Sequence, residues 1–241
     1  MKSRIQKGFW LLERPCAHRG YFDNSNGIPE NSSAAYKRAI EKNYPIEMDI
    51  QLSKDGKLVC FHDDNLKRMT GVDSLIWDKT LDEIKSLRLL NTDEVIMTFE
   101  EFLSLVDGKV PLLIEIKHQR EKGIEEKVIN ALKGYTGEYV IQSFDPFVMI
   151  KIKKLAPDVI RGQLACANPG QNSKFKDNIL RKCSLNFLVK PDFINYCLND
   201  LPTNYSVGKN LPLLCWTIRN EQDKQKAEKY AVSYVFENLD L

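Results

Sequence analysis

Short apolar runs rich in β-branched and aromatic residues alternate with longer charged segments of helical period along nearly the whole chain, and this alternation constrains the fold most. The strand candidates are Pro15–His18, Pro45–Ile50, Leu58–His62, Leu112–Lys117, Tyr139–Phe144, Val159–Leu164, Leu185–Lys190, Leu213–Thr217 and Val232–Glu237. Between them lie Ser33–Lys42, Ile124–Leu132, Phe147–Leu155, Lys174–Lys182 and Asn220–Tyr230, each of helical length and charged on one face. Such an order predicts a parallel sheet with helices packed around it. With 241 residues, 43% of them hydrophobic, the chain can bury a large core. No Gly/Ser-rich linker, repeat or low-complexity tract divides it, so a single domain over 1–241 is expected.

Nine strand candidates are one too many for an eight-stranded barrel. Only 51–57, including the tight-turn signal Lys54-Asp55-Gly56, separates Ile50 from Leu58, which leaves no room for a helical crossover. Leu58–His62 is therefore expected to fold back antiparallel on the preceding strand, with residue 62 opposite residue 48 and His62 level with Glu47 and Asp49. Eight strands remain, the number in a (β/α)8 TIM barrel of this length. The alternation is interrupted at about 63–97, read as a small insertion after the second strand. Thr80-Leu-Asp-Glu83 and Thr98-Phe-Glu-Glu101 each match a capping box, so helices should start at both; the first belongs to the insertion and the second to the barrel ring.

The 35 basic against 33 acidic residues leave a formal charge of +2, which argues against a nucleic-acid partner or an acidic disordered tail. Cysteines 16, 60, 166, 183, 197 and 215 show no metal-ribbon or disulfide-scaffold spacing, and reduced thiols in a cytoplasmic protein are expected. The N-terminal apolar stretch, Gly8 to Leu12, is too short for a signal peptide, and no run approaches the ~20 apolar residues of a membrane span. Phe9, Trp10, Leu11 and Leu12 are expected to cover one end of the fold, with a weak membrane-surface contact as the alternative.

In a barrel of this kind the active site lies at the carboxyl ends of the strands. Ionisable residues cluster there: Ala17-His18-Arg19-Gly20, Glu47-Met48-Asp49, His62-Asp63 on the return arm, and Glu115-Ile116-Lys117. Residues two apart on a strand share a face, so Glu47 and Asp49 project together, as do Glu115 and Lys117. Three carboxylates without cysteine or a convergent histidine set favour a hard divalent cation, Mg²⁺ or Ca²⁺. A buried ionic cluster with Arg19 and Lys117 is the alternative. His18 and His62 can titrate near neutrality as a proton-transfer pair, while Arg19 and Lys117 suit phosphate oxygens. The combination points to phosphoryl transfer.

In order and spacing, AHRG at 17–20, PENS at 29–32, ExD at 47–49, DG at 55–56, HD at 62–63, EIK at 115–117, QSFD at 142–145 and WTI at 216–218 resemble the glycerophosphodiester phosphodiesterase family, from about residue 16 to the C-terminus. IMTFEEFL at 96–103 resembles the family's segment before its next barrel helix, and the insertion resembles a short version of the family's capping insertion between strand two and helix two. The resemblance implies metal ligation by Glu47, Asp49 and Glu115, acid/base catalysis by His18 and His62, and phosphate binding by Arg19 and Lys117. It implies hydrolysis of substrates such as glycerophosphocholine or glycerophosphoethanolamine to glycerol 3-phosphate and an alcohol. The alternatives are a lysophospholipid phosphodiesterase at a membrane surface and a noncatalytic phosphometabolite-binding barrel.

Glu30 and Asn31 are further site candidates, yet Pro29-Glu30-Asn31-Ser32 also reads as the start of the first helix, and for Glu30 the two readings weigh equally. Trp216 could line the glycerol or alcohol pocket, with core packing as the equal alternative, and Phe144 is open in the same way. His118 should point opposite to Lys117 and act structurally. Glu237-Asn238 departs from the Thr-Asp common in the family after the last strand.

Overall fold

The computed structural model describes residues 2–118, 123–168, 174–205 and 207–241, apart from the side chains at 174–176. These residues group into two compact units, 17–139 and 1–16 with 140–241.

In the unit 17–139, β1 (Cys16–Ala17), β2 (Ile46–Leu52) and β4 (Leu112–Ile116) run parallel, and β3 (Leu58–Cys60) folds back antiparallel on β2. Strand β2 alternates strictly, which puts Ile46, Met48, Ile50 and Leu52 on one face and Glu47, Asp49 and Gln51 on the other. All seven residues are buried. The turn between β2 and β3 uses Gly56 at φ +71°, with the Gly56 N–H donating to the Ser53 carbonyl. The β2–β3 register pairs Ile50 with Cys60 and Leu52 with Leu58. Extended by two residue pairs, that register sets 62 against 48, as the turn spacing predicts.

Helix Ser33–Glu41 is capped by Ser32, whose hydroxyl accepts from the Ala35 N–H. Both predicted capping boxes form, on helices Leu81–Lys85 and Phe99–Val106. The insertion has an apolar core of its own: Leu66, Met69, Ile76, Ile84, Leu89 and Ile96 pack with Val59 and Phe61.

In the other unit, β5 (Tyr139–Ser143), β6 (Arg161–Ala165), β7 (Phe193–Cys197), β8 (Leu213–Ile218) and β9 (Ser233–Phe236) lie side by side in chain order, all parallel. Helices Pro146–Leu155, Lys174–Arg181 and Glu221–Tyr230 fall within or next to the predicted segments. One expectation fails. Leu185–Lys190 is not a strand; Asn186–Val189 forms a helical turn that ends at Lys190 in the left-handed region, φ +50°, and the strand follows Pro191 as β7. A short apolar run carries no period that separates strand from helix, and this run leaves Phe187 68% exposed, incompatible with a buried parallel strand.

At the N-terminus, Trp10 and Leu11 are buried in the short helix Trp10–Glu13, which packs on β9. Trp10 and Leu11 thus cover core, while Phe9 and Leu12 are half-buried. Across the described residues, eight parallel strands and one antiparallel arm are the strand complement of a (β/α)8 TIM barrel with an extra hairpin strand. Among the described residues, no helix is long and apolar enough to cross a membrane.

Candidate active site

The parallel register of β2 and β4 sets Asp49 directly beside Glu115, and the two-residue period of β2 adds Glu47 on the same face. One carboxylate oxygen from each of Glu47, Asp49 and Glu115 lies within 4.8 Å of the others, and all three side chains are buried. Buried like charges at this spacing resist joint ionisation. Burial, Asp49 and Glu115 push the Glu47 carboxyl well above the usual carboxylate range. Burial pushes Asp49 the same way, but the charges of His62, Lys117, Arg19 and His18 outweigh it and hold the group well below that range.

Two cations sit against the cluster. The Lys117 ammonium is 2.9 Å from Glu115 Oε1 and 3.6 Å from Asp49 Oδ1. Burial alone would lower its pKa, but Glu115 and Asp49 raise it, so Lys117 stays charged. Arg19 Nε lies 3.5 Å from Asp49 Oδ2, and the Arg19 backbone N–H donates to Glu47 Oε2 at 3.2 Å. The chain reaches this geometry by placing Arg19 in the left-handed region, φ +54°, followed by Gly20 at φ +82°. His18 Nε2 stands 3.8 Å from Glu47 Oε2.

The ion pairs of the alternative reading are thus present, yet they leave one oxygen over. Asp49 Oδ1 is buried and accepts no hydrogen bond, its Lys117 contact being longer than one. An all-oxygen donor set with an unsatisfied buried carboxylate oxygen fits a hard divalent cation.

Asn31 holds the other oxygen of Asp49: its Nδ2 donates to Oδ2 at 3.0 Å, and its Oδ1 accepts from the Tyr36 hydroxyl at 2.8 Å. Glu30 turns out not to cap the helix, a role that Ser32 takes. Its carboxylate accepts from Arg19 Nη1 at 2.6 Å and from Arg68 Nη1 and Nη2 at 2.8 and 2.7 Å. Burial raises the Glu30 pKa, but Arg68 and Arg19 more than offset it and bring it down to about 2. The preceding Asp/Asn/Ser/Gly-rich loop supports this residue, since Asn24 bonds both the backbone N–H and the carboxylate of Glu30.

On the return arm, His62 Nδ1 lies 2.7 Å from Asp63 Oδ1. This contact leaves the imidazole's Nε2 for proton transfer. Asp63 in turn accepts from Arg68. Gln51 fixes the arm by donating to the carbonyls of Phe61 and Asp63.

The predicted residues Glu47, Asp49, Glu115, Lys117, His18, Arg19 and His62 therefore share one compact unit. Arg68 was not singled out from sequence, and Asp63 only as part of the His62-Asp63 pair, whereas Asn31 stood beside Glu30 as a candidate. Asp63 had a signal, its position next to His62, whereas nothing local marks Arg68. Trp216 belongs to the other unit, with its ring edge-on to Phe144 at 5.5 Å between centroids. His118 is exposed. Glu237 pairs with Arg219 at 2.7 Å.

The fold and these residues define a barrel-type phosphodiesterase. A phosphodiesterase from Oleispira antarctica, solved in complex with the product sn-glycerol-3-phosphate, superposes with a TM-score of 0.75 over 93% of this chain and 92% of that one, at 26% identity. Residues 18–238 match the Glycerophosphoryl diester phosphodiesterase family, and the chain belongs to that family of phosphoric diester hydrolases. It is 41% identical over 160 residues to a glycerophosphodiester phosphodiesterase of Caldanaerobacter subterraneus, a match that spans 61% of this chain and 65% of that protein. Against a glycerophosphodiester phosphodiesterase of Bacillus subtilis it is 28% identical over 92% of this chain and 82% of the relative.

Proposed function

We propose that this single-domain protein hydrolyses glycerophosphodiesters, with glycerophosphocholine and glycerophosphoethanolamine as representative substrates, to glycerol 3-phosphate and the free alcohol. The observation that carries the reading is the buried Glu47–Asp49–Glu115 cluster flanked by His18, Arg19 and Lys117 and within electrostatic reach of His62. Glu47, Asp49 and Glu115 would hold the divalent cation, Mg²⁺ or Ca²⁺. That cation, when bound, neutralises charge on the phosphate oxygens.

Arg19 and Lys117 donate to the nonbridging oxygens of the substrate and orient phosphorus for attack. One imidazole of the pair His18 and His62 takes a proton from the attacking oxygen, either a water or the neighbouring glycerol hydroxyl, and the other delivers a proton to the departing alkoxide; by the second route water then opens the cyclic phosphate to glycerol 3-phosphate. The new P–O bond forms as the P–O bond to the alcohol breaks. Asp63 keeps the His62 Nε2 directed to this exchange by binding Nδ1. With a divalent cation, the two cations and three carboxylates leave a net positive mouth suited to an anionic diester.

The test is a panel of glycerophosphodiesters and lysophospholipids assayed with each cation and with EDTA. Release of glycerol 3-phosphate that stops in EDTA and returns with Mg²⁺ or Ca²⁺ is expected. Binding of glycerophosphocholine without turnover would refute the reading in favour of a sensor, and turnover restricted to lysophospholipids would favour a lipid substrate.

A further inference from the structure

Arg68 lies outside every motif singled out above, on the short helix Lys67–Thr70 of the insertion, yet it makes the densest set of charged contacts among the described residues of this unit. Its Nε donates to Asp63 Oδ2 at 2.6 Å and its Nη2 to Asp63 Oδ1 at 3.0 Å. Its Nη1 and Nη2 donate to Glu30 Oε2 and Oε1 at 2.8 and 2.7 Å. One planar guanidinium thus grips two carboxylates, each through two oxygens, a geometry open to arginine and not to lysine.

Each carboxylate continues to a different part of the chemistry. Asp63 holds His62 Nδ1, and Glu30 holds Arg19 Nη1 at 2.6 Å. We propose that Arg68 is a positioning residue for phosphodiester hydrolysis, holding the His62 imidazole through Asp63 and the Arg19 guanidinium through Glu30 in one fixed relation. The proposal rests on the roles given to His62 and Arg19 above.

Three observations separate this from the simpler alternatives. Four of the five N–H donors of a guanidinium are taken by carboxylates, and the pairs Arg68/Asp63 and Arg19/Glu30 balance in charge, so Arg68 is poorly placed to bind a substrate anion itself. Its side chain is 46% exposed, so solvent screens its ion pairs and reduces what they add to stability, although Glu30 itself is buried. Its backbone, by contrast, is held firmly. The flanking Leu66 and Met69 are buried in the insertion's apolar core, Asn65 Oδ1 accepts from the Lys67 N–H at 2.8 Å, and Gly71 closes the helix in the left-handed region. The insertion is accordingly a packed platform that presents one guanidinium to two catalytic segments.

The experiment compares wild type, Arg68→Gln and Arg68→Lys by steady-state kinetics on glycerophosphocholine, by thermal melting, and by ¹⁵N NMR of the histidine rings. Loss of an outer partner that orients site residues lowers activity about 10–100-fold. That loss is expected in kcat for Arg68→Gln, with KM changed less than kcat and the melting midpoint preserved. Arg68→Lys should recover only part of it. The His62 ring signals should shift in Arg68→Gln, a readout independent of turnover. Wild-type kcat and unshifted His62 signals in Arg68→Gln would overturn the proposal, as would a loss of kcat that merely tracks a fall in melting midpoint. Absence of turnover in the wild type would instead sink the assigned activity.

Discussion

Gly20→Ala tests how the site loop is held. Gly20 has φ +82°, a conformation that costs an L-residue about 1–2 kcal/mol. A Cβ there would also stand 2.9 Å from the backbone carbonyl carbon of Ala35 and 3.0 Å from both Ala35 Cβ and Tyr36 Cδ1. Neither neighbour can easily yield. Ala35 belongs to a helix fixed by the Ser32 cap, and the fully buried Tyr36 ring packs edge-on against Phe102 at 4.5 Å. Overpacking of this kind adds about 1–3 kcal/mol, so the total is roughly 2–5 kcal/mol. That is a large share of the stability of a folded domain, typically about 5–15 kcal/mol. Gly71→Ala is the matched control, because φ is +76° but nothing lies within 4 Å of its Cβ, leaving the backbone cost of about 1–2 kcal/mol alone. Urea unfolding of both variants isolates the steric part. Activity provides a second reading, since a displaced Tyr36 loosens the Asn31 contact that orients Asp49. If Gly20→Ala costs no more than Gly71→Ala, the close approach of loop and helix does not constrain the site.

His18→Ala and His62→Ala should each lower kcat by about 10²–10⁴-fold while circular dichroism and melting stay near wild type; full activity in both would remove the acid/base assignment. A saturating divalent cation should stabilise the wild type by about 2.7 kcal/mol at a hundred times its Kd, and Asp49→Asn should suppress the effect; equal shifts in differential scanning fluorimetry would argue against this cluster as the cation site. Glu30 has a folded pKa of about 2, below its unfolded value, so the stability it contributes is present above the unfolded pKa and fades as pH falls through the folded one. That contribution is at most about 3 kcal/mol, reduced because Arg68 is half exposed. Unfolding free energies at pH 7, 4 and 3 should therefore fall more steeply for wild type than for Glu30→Gln; parallel curves would contradict the shift.

Much of the unit 17–139 is legible locally. The Lys54-Asp55-Gly56 turn dictates the β2–β3 register because positions paired across a hairpin are tied to its turn. Capping boxes mark helix starts because the hydroxyl and carboxylate that satisfy the free N–H groups lie three residues apart. Strict alternation in β2 announces that Glu47 and Asp49 share a face. Where local pattern is ambiguous the reading fails, as at Leu185–Lys190, whose short apolar run suits either element until burial decides.

What the chain alone determines here is periodicity, turn chemistry and the kinds of functional group available. Tertiary structure decides which of those groups meet. The parallel register of β2 and β4 sets Asp49 beside Glu115, and the insertion's core carries Arg68 to Asp63 and Glu30. Neither meeting follows from spacing, because strand register and loop packing depend on surface buried between segments far apart in sequence.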